Sequence, residues 1–411
     1  MLKTRQRHKI GADLAAFDIR VGSAGLPFIK GTWFFVDPDN GSNSSDGLTI
    51  DTAVADLLTA YGLCVSGRGD GIALLSGGTS AAETTSYLTH ELAWSKHAIT
   101  VFGVAAPARM FGRARIATKT ITTGAITVLS FLRGTVSADT INRTTGSFIT
   151  DGFKVGDYLR VDTTGNGADA TGLVVAAVSA LTLTLATTGT LVTETAANAG
   201  SSTVSTYCPN IITVTGDNNS FINIHAFNAN TDALSLGGWV DSGHRNYYEN
   251  CHFVGGAGCA ASASIRSIEL ATSEEATFTG CTFGSDTVDR GNNANSELLF
   301  TGAVSRSRFY DCEFLVYVST GTAHGAIKTA AATALGNDAV FKRCEFHAFA
   351  ANGINAQTVA VIGTAPTTGI MYILDSSAMA YTNWADAAND RVYVNMPTSA
   401  AAAAGGICTV R

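Results

Sequence analysis

The sequence predicts an all-β protein whose body is a parallel β-helix, a solenoid of stacked strands, with a small β-barrel inserted in it and a short capping helix near the N-terminus. Three observations predict this. A six-residue pattern recurs at near-constant spacing through the C-terminal half, the composition favours strands and turns, and one stretch of short alternating strands breaks the register.

Composition sets the limits first. The chain has 411 residues, more than one compact domain usually holds, so an elongated repeat or several units are expected. Charged residues make up 14%, while Gly occupies 43 positions beside abundant Ala, Ser and Thr, which suits stacked strands and tight turns. A hydrophobic content of 46% excludes disorder. The net charge of −7 provides no broad positive field, so nucleic acid is not an expected partner. No run approaches the roughly 18 apolar residues of a membrane span, and residues 11–23 carry Asp13, Asp18 and Arg20 where a secretion signal would be apolar. Lys3, Arg5, Arg7 and Lys9 form one basic run, read either as a solvated tail or as an arm that lies on an acidic surface.

The repeat carries the fold. Tyr248-x-x-Cys251-x-Phe253, Phe278-x-x-Cys281-x-Phe283, Phe309-x-x-Cys312-x-Phe314 and Phe341-x-x-Cys344-x-Phe346 follow at steps of 30, 31 and 32 residues. Weaker copies are expected at Ile222-x-x-His225-x-Phe227 and Ile373-x-x-Ser376-x-Ala378. Each copy is a short apolar run bounded by polar turns, without helical periodicity. Side chains alternate along a strand, so Cys251 and Phe253 point inward while Asn250 and His252 point outward. Stacking the copies about 4.8 Å apart builds internal ladders of Cys over Cys and Phe over Phe. The eight cysteines show neither a CxxC pair nor zinc spacing, so they read as small buried hydrophobes and no metal or cofactor is expected. Cys251 and Cys259 share one repeat, and a disulfide between them stays open.

Upstream, Trp33-Phe34-Phe35-Val36 leads through Asp37-Pro38-Asp39-Asn40-Gly41 and Ser45-Asp46-Gly47-Leu48 to an amphipathic helix expected over Thr52–Tyr61. Gly69-Asp70-Gly71, an apolar strand and Gly78-Thr79 follow, then Ile99 to Gly103. This order resembles the entry to right-handed β-helix proteins of the pectate-lyase-like superfamily, in which a helix covers the open end of the first coil. That resemblance implies a right-handed parallel β-helix and says nothing of chemistry. Asp37, Asp39 and Asp46 are either turn formers or oxygen ligands for calcium, in an order unlike an EF-hand. Arg68-Gly69-Asp70 spells an adhesion tripeptide too common by chance to use.

The register changes between residues 134 and 207, where short alternating strands with glycine turns predict a small barrel. The run Gly146-Ser147-Phe148, Asp151-Gly152-Phe153-Lys154-Val155-Gly156-Asp157, Leu181-Thr182-Leu183 and Leu191-Val192-Thr193-Glu194 resembles a module of structural proteins of tailed bacteriophages. The chain therefore divides into an arm (1–31), β-helix entry with capping helix (32–133), inserted barrel (134–207), coils with the Cys-x-Phe ladder (208–395) and a closing segment (396–411). The resemblance implies a non-enzymatic virion protein, assembled in the host cytoplasm as a homotrimer. Because the chain is short for a spike with separate anchoring and host-binding parts, the expected place within the particle is that of a capsid decoration or cement protein bound to the major capsid protein or to tail and neck proteins. The alternative is a tail fibre or tailspike that binds, and in its enzymatic version cleaves, host surface glycan.

Catalytic candidates are few. Asp311, Glu313 and Glu345 are expected on the outer face beside Arg343, with Glu313 and Glu345 at about the separation of retaining glycosidases and Asp311 and Glu313 near that of inverting ones. Arg343 between Asp311 and Asp375 equally reads as a solvated ladder of alternating charge. His244, His252, His324 and His347 read as structural, Glu274 and Glu275 as pointing to opposite faces, and Trp94, Trp239 and Trp384 as either exposed platforms for sugars or packing at coil turns.

Overall fold

The computed structural model describes residues 29–76, 85–105, 113–124, 129–134, 137–163, 170–195, 201–256, 262–291, 293–319, 321–350, 353–354, 357–385 and 391–395. The basic run, Cys259, Cys408 and the closing segment lie outside them.

The chain is a right-handed parallel β-helix of about eight turns, nearly all β. Three long parallel sheets form its walls. The first runs from Trp33–Val36 through Gly71–Ser76 and Thr100–Ala105 to Met371–Leu374 and Val392–Val394, ten strands in all. The second contains Thr85–Leu88, Ala114–Thr118, Ile224–Phe227, His252–Val254, Thr282–Ser285, Glu313–Tyr317 and Glu345–Ala350. The third runs from Leu92–Trp94 to Tyr381–Ala385.

Inside, the repeat forms continuous columns. Phe221, Tyr248, Phe278, Phe309 and Phe341 stack with ring centroids 5.3, 4.5, 4.8 and 4.4 Å apart. Phe253, Phe283, Phe314 and Phe346 stack at 5.8, 4.8 and 4.6 Å. Between these columns the Cys251, Cys281, Cys312 and Cys344 thiols are buried and free, and each donates to a carbonyl of the preceding coil, those of Phe221, Tyr248, Phe278 and Phe309. Ser376 continues this column, its hydroxyl accepting from the Cys344 amide. The weak copy after the ladder is in register, with Ile373 beside Phe341 and Ala378 beside Phe346. The weak copy before it is shifted by one residue. Phe221 and Ala226 are the partners of Tyr248 and Phe253, which leaves His225 and Phe227 on the outer face. A one-residue slip exchanges faces, and the apolar Ile222 and Phe227 disguised it.

The corner between the first and second sheets is a left-handed residue in each coil: Asn223, Asn250, Gly280, Asp311, Arg343 and Asp375, with φ between 48° and 60°. Asn, Asp and Gly adopt this conformation readily, whereas at Arg343 it costs about 1–2 kcal/mol. The amide of each of the first five still donates to the next coil, so the ladder continues through the bend.

At the N-terminal end a 3₁₀ turn at Ile50–Thr52 precedes the helix Leu57–Leu63, capped by Asp56 through the Thr59 amide. The helix thus starts later than the apolar pattern indicates, because Ala53 and Val54 continue the wall, with Val54 bridging Val36. Leu57, Ala60 and Tyr61 are buried over the first coils. Asp37 and Asp46 accept hydrogen bonds from nearby backbone amides, as turn formers do. Asp70 is buried against the Thr32 and Val65 amides and Arg68, so the tripeptide is a structural turn.

The inserted segment leaves after Ala114–Thr118 of the second sheet and returns at Ile212–Val214 of the third. Ile212 pairs with Leu92 and Ser220 with Thr100, so the coil resumes in register. Between them lies a six-stranded antiparallel sheet ordered Ser202–Tyr207, Tyr158–Thr163, Ala170–Val178, Thr182–Leu185, Thr140–Arg143 and Leu129–Leu132, around its own apolar core. Its first strand lies upstream of the change in register at residue 134. No ladder among the described residues joins the two end strands. Asp139, buried, accepts from the amides of Gly134, Gly189, Thr190 and Leu191 and so ties its loops together.

Candidate functional site

Alternation along the second sheet sends one side chain per coil outward between the inward phenylalanines. Arg115, His225, His252, Thr282, Glu313 and Glu345 are successive partners in this outward row. The His225 and His252 rings stack with centroids 4.6 Å apart and planes 9° from parallel. Burial, then the neighbouring His252 and the Arg115 and Arg113 guanidiniums, lowers the His225 pKa to about 2. Burial lowers that of His252 to about 4, against the pull of the Gly284 carbonyl it contacts at 2.7 Å. Both rings are therefore neutral near pH 7.

Arg113 lies over this row. Its guanidinium donates to the Asn250 carbonyl at 2.8 Å, to Asn250 Oδ1 at 3.0 Å and to Thr282 Oγ1 at 3.4 Å. Behind Asn250 a groove of about 320 Å³ opens at the corner of the first two sheets, lined by Phe102, Gly103, Val104, Ile222, Asn223, Glu249 and Asn250. Asn223 donates to the Gly103 carbonyl at 2.7 Å and fixes its floor.

At the far end Glu313 and Glu345 face one another on adjacent strands. His347 Nε2 lies 3.1 Å from Glu345 Oε2, and ligand atoms of all three side chains fall within 4.8 Å of one another. Burial raises the Glu313 pKa; His347 opposes this, and the like charge of Glu345 adds to it. The two glutamates are thus close together, as the spacing indicates. Asp311 does not join them. It sits at the left-handed corner and is held by Arg343 through two hydrogen bonds of 2.7 and 2.8 Å, the charge ladder that its column indicates. His347 reads as structural in the sequence; its position two residues from Glu345 is the signal for its place here, since on a strand that spacing puts both on one face.

Other candidates lie away from this row. Trp94, Trp239 and Trp384 are all buried and offer no platform to a sugar. Glu274 and Glu275 do not diverge: the left-handed backbone at Glu275 brings both to Arg306, at 2.9 and 3.0 Å. His324 is buried against Glu297, in a cluster where Arg290 grips that carboxylate through two hydrogen bonds of 2.7 Å.

Fold and row together define a parallel β-helix with a polar, ring-bearing outer face. No protein-family model matches the chain, and no curated protein does. Among solved structures it is similar to the pectate lyase Pel9A (TM-score 0.48, 11% identity, 89% of this chain and 68% of that one). It is also similar to a rhamnogalacturonan lyase (0.45, 10%, 89% and 73%) and, more distantly, to the tailspike gp49 of Pseudomonas phage LKA1 (0.23, 10%, 80% and 70%). At such identities the likeness concerns the fold alone.

Proposed function

We propose that this chain is a glycan-binding protein of a tailed-phage particle, a tail fibre or tailspike, that receives a polysaccharide along the outward row of its second sheet. The observation that carries the reading is the row itself. It stacks polar side chains at a regular rise of about 4.8 Å per coil, half-buried at Arg115, His225, His252 and Glu313 and exposed at Glu345, next to a groove whose Phe102 and Ile222 supply apolar surface and whose Asn223, Glu249 and Asn250 supply a polar rim. A linear polymer of hydroxyl-bearing rings matches such a face, because stacking and bidentate polar contacts repeat along it. The resemblance of residues 144–194 to a phage module supports the particle, and trimerisation along the long axis is part of the same proposal. The capsid-decoration reading rests on the basic arm and has no described surface that speaks for it, whereas the glycan reading has the row, so the capsid reading takes second place.

The test is binding of the full chain to an array of bacterial surface polysaccharides, with light scattering for mass. The expected result is retention of at least one polysaccharide, weakened tenfold or more by Asn250→Ala or Arg113→Ala, from a particle of three times 42.5 kDa. Absence of binding across the array by a folded trimer would refute the glycan reading.

A further inference from the structure

We propose that Glu313, Glu345 and His347 form a site for one divalent transition-metal ion of the zinc class, laid across two adjacent coils. Glu345 and His347 stand two residues apart on one strand and so share its outer face, while Glu313 is the direct partner of Glu345 on the next. Their ligand atoms already converge within 4.8 Å. Metal–ligand distances near 2.0–2.2 Å for imidazole nitrogen and carboxylate oxygen require only a modest closing of this triangle. Glu345, whose side chain is 62% exposed, is free to swing.

The charge pattern supports a cation at this place. Elsewhere on the solenoid, carboxylates stacked between coils meet guanidiniums: Glu275 lies between Arg245 and Arg306, Asp311 faces Arg343, and Arg308 meets Asp338. Glu313 and Glu345 instead oppose one another, and like charges directly across strands are destabilising. Asp286 adds negative charge near Glu313 and Arg113 adds positive, and the group brought within 4.8 Å of both carboxylates is His347. Arg113 directs hydrogen bonds to Asn250 and Thr282. Among the described residues His347 Nδ1 is buried without a hydrogen-bond partner, and Nε2 is the atom turned to the carboxylates.

The donor set fixes the class of metal. One imidazole and two carboxylates suit Zn²⁺, Co²⁺ or Mn²⁺, whereas calcium takes oxygen ligands in larger number. Three protein ligands leave a coordination position toward solvent. This inference does not rest on the glycan reading, since metal binding is measured with no saccharide present.

The test uses the full chain stripped with EDTA, titrated with ZnCl₂ by calorimetry and, in parallel, with CoCl₂ by visible absorption. We expect one Zn²⁺ per chain, Co²⁺ bands of a nitrogen–oxygen site, and at least tenfold weaker binding by His347→Gln and by Glu345→Gln. Asp311→Asn, in the neighbouring column, should bind as the unmodified chain does, and circular dichroism checks that every variant is folded. Zinc affinity unchanged in both site variants, or calcium bound as tightly as zinc, would overturn the proposal.

Discussion

Replacing Arg290 by Met should open the loop that bridges the second and third sheets, and the structure gives the size of the effect. Arg290 and Glu297 are both fully buried. Arg290 donates to both oxygens of Glu297, to the Gly255 carbonyl at 2.6 Å and to Ser267 Oγ at 3.1 Å. Burial opposes ionisation of Glu297, but the Arg290 charge and hydrogen bonds, with His324 Nε2 3.5 Å away, outweigh it and bring the pKa from 4.5 to about 2. At about 1.4 kcal/mol per unit this is about 3 kcal/mol of pairing, within the range of about 3–5 kcal/mol for breaking a buried pair. Because the folded pKa is depressed, this stability is present above pH 4.5 and is lost as pH falls toward 2. Hydrogen exchange reads it locally, at the Arg290 amide bonded to the Tyr317 carbonyl and the Gly325 amide bonded to the Asn295 carbonyl. Arg290→Met should speed exchange there by two to three orders of magnitude at neutral pH, roughly 3–4 kcal/mol. Arg290→Met with Glu297→Leu should recover most of the loss, since apolar replacement of a buried pair is often neutral. A single variant that exchanges like the unmodified chain, or a double variant no better than the single, would refute the reasoning.

Three further outcomes follow from the interior. Phe309→Ala removes a buried ring stacked on both sides and should destabilise by about 3–5 kcal/mol in urea unfolding, whereas Tyr393→Ala, at a ring 56% exposed, should cost under about 1 kcal/mol. Asp241 is buried in the lumen, and burial raises its pKa to about 7 against hydrogen bonds from Asn246, Tyr248 and the Gly243 amide. Its folded form favours the proton, so its contribution is full below pH 3.8 and is lost as pH rises toward 7; Asp241→Asn should therefore raise thermal stability at neutral pH by roughly 2 kcal/mol and lose that advantage below about pH 4. Burial pushes the thiols of Cys251 and Cys312 well up and that of Cys64 to about 12, so native protein should be inert to a thiol reagent at these positions and should react once unfolded.

What sequence revealed follows from what stacking requires. The internal ladders repeat because each coil must place the same shape over the last, so Phe309 over Phe278 was legible from spacing alone. The corner residues were less so. Asp311 and Arg343 read as strand positions, yet they occupy a left-handed bend that only φ exposes, and this separates Asp311 from Glu313. The tryptophans stayed ambiguous for a related reason: Trp239 lies on the third sheet, whose inward column of Ile212, Trp239, Ile268, Leu298 and Ile327 repeats no aromatic that would mark it as interior.

The position of the insertion explains how a solenoid acquires a second module without losing its register. A coil is closed by its partners above and below, so a segment that leaves after Thr118 and returns before Ile212 changes only one turn, provided its ends are close. The insert is then fastened to neighbouring turns by polar contacts: Asp157 accepts from Thr89 Oγ1 at 2.7 Å and meets His90 at 3.2 Å, and Arg160 reaches Asp232 at 3.3 Å. The same connection between the second and third sheets, farther along the axis, carries the loop of Asp286, Asp289 and Arg290. Variation in length is thus concentrated along one edge of the second sheet, beside the outer face that holds Glu313, Glu345 and His347. An edge that tolerates insertion next to a face that does not vary in spacing lets the turns differ while the array of side chains stays fixed, and a binding face on this fold is expected to lie along such an edge.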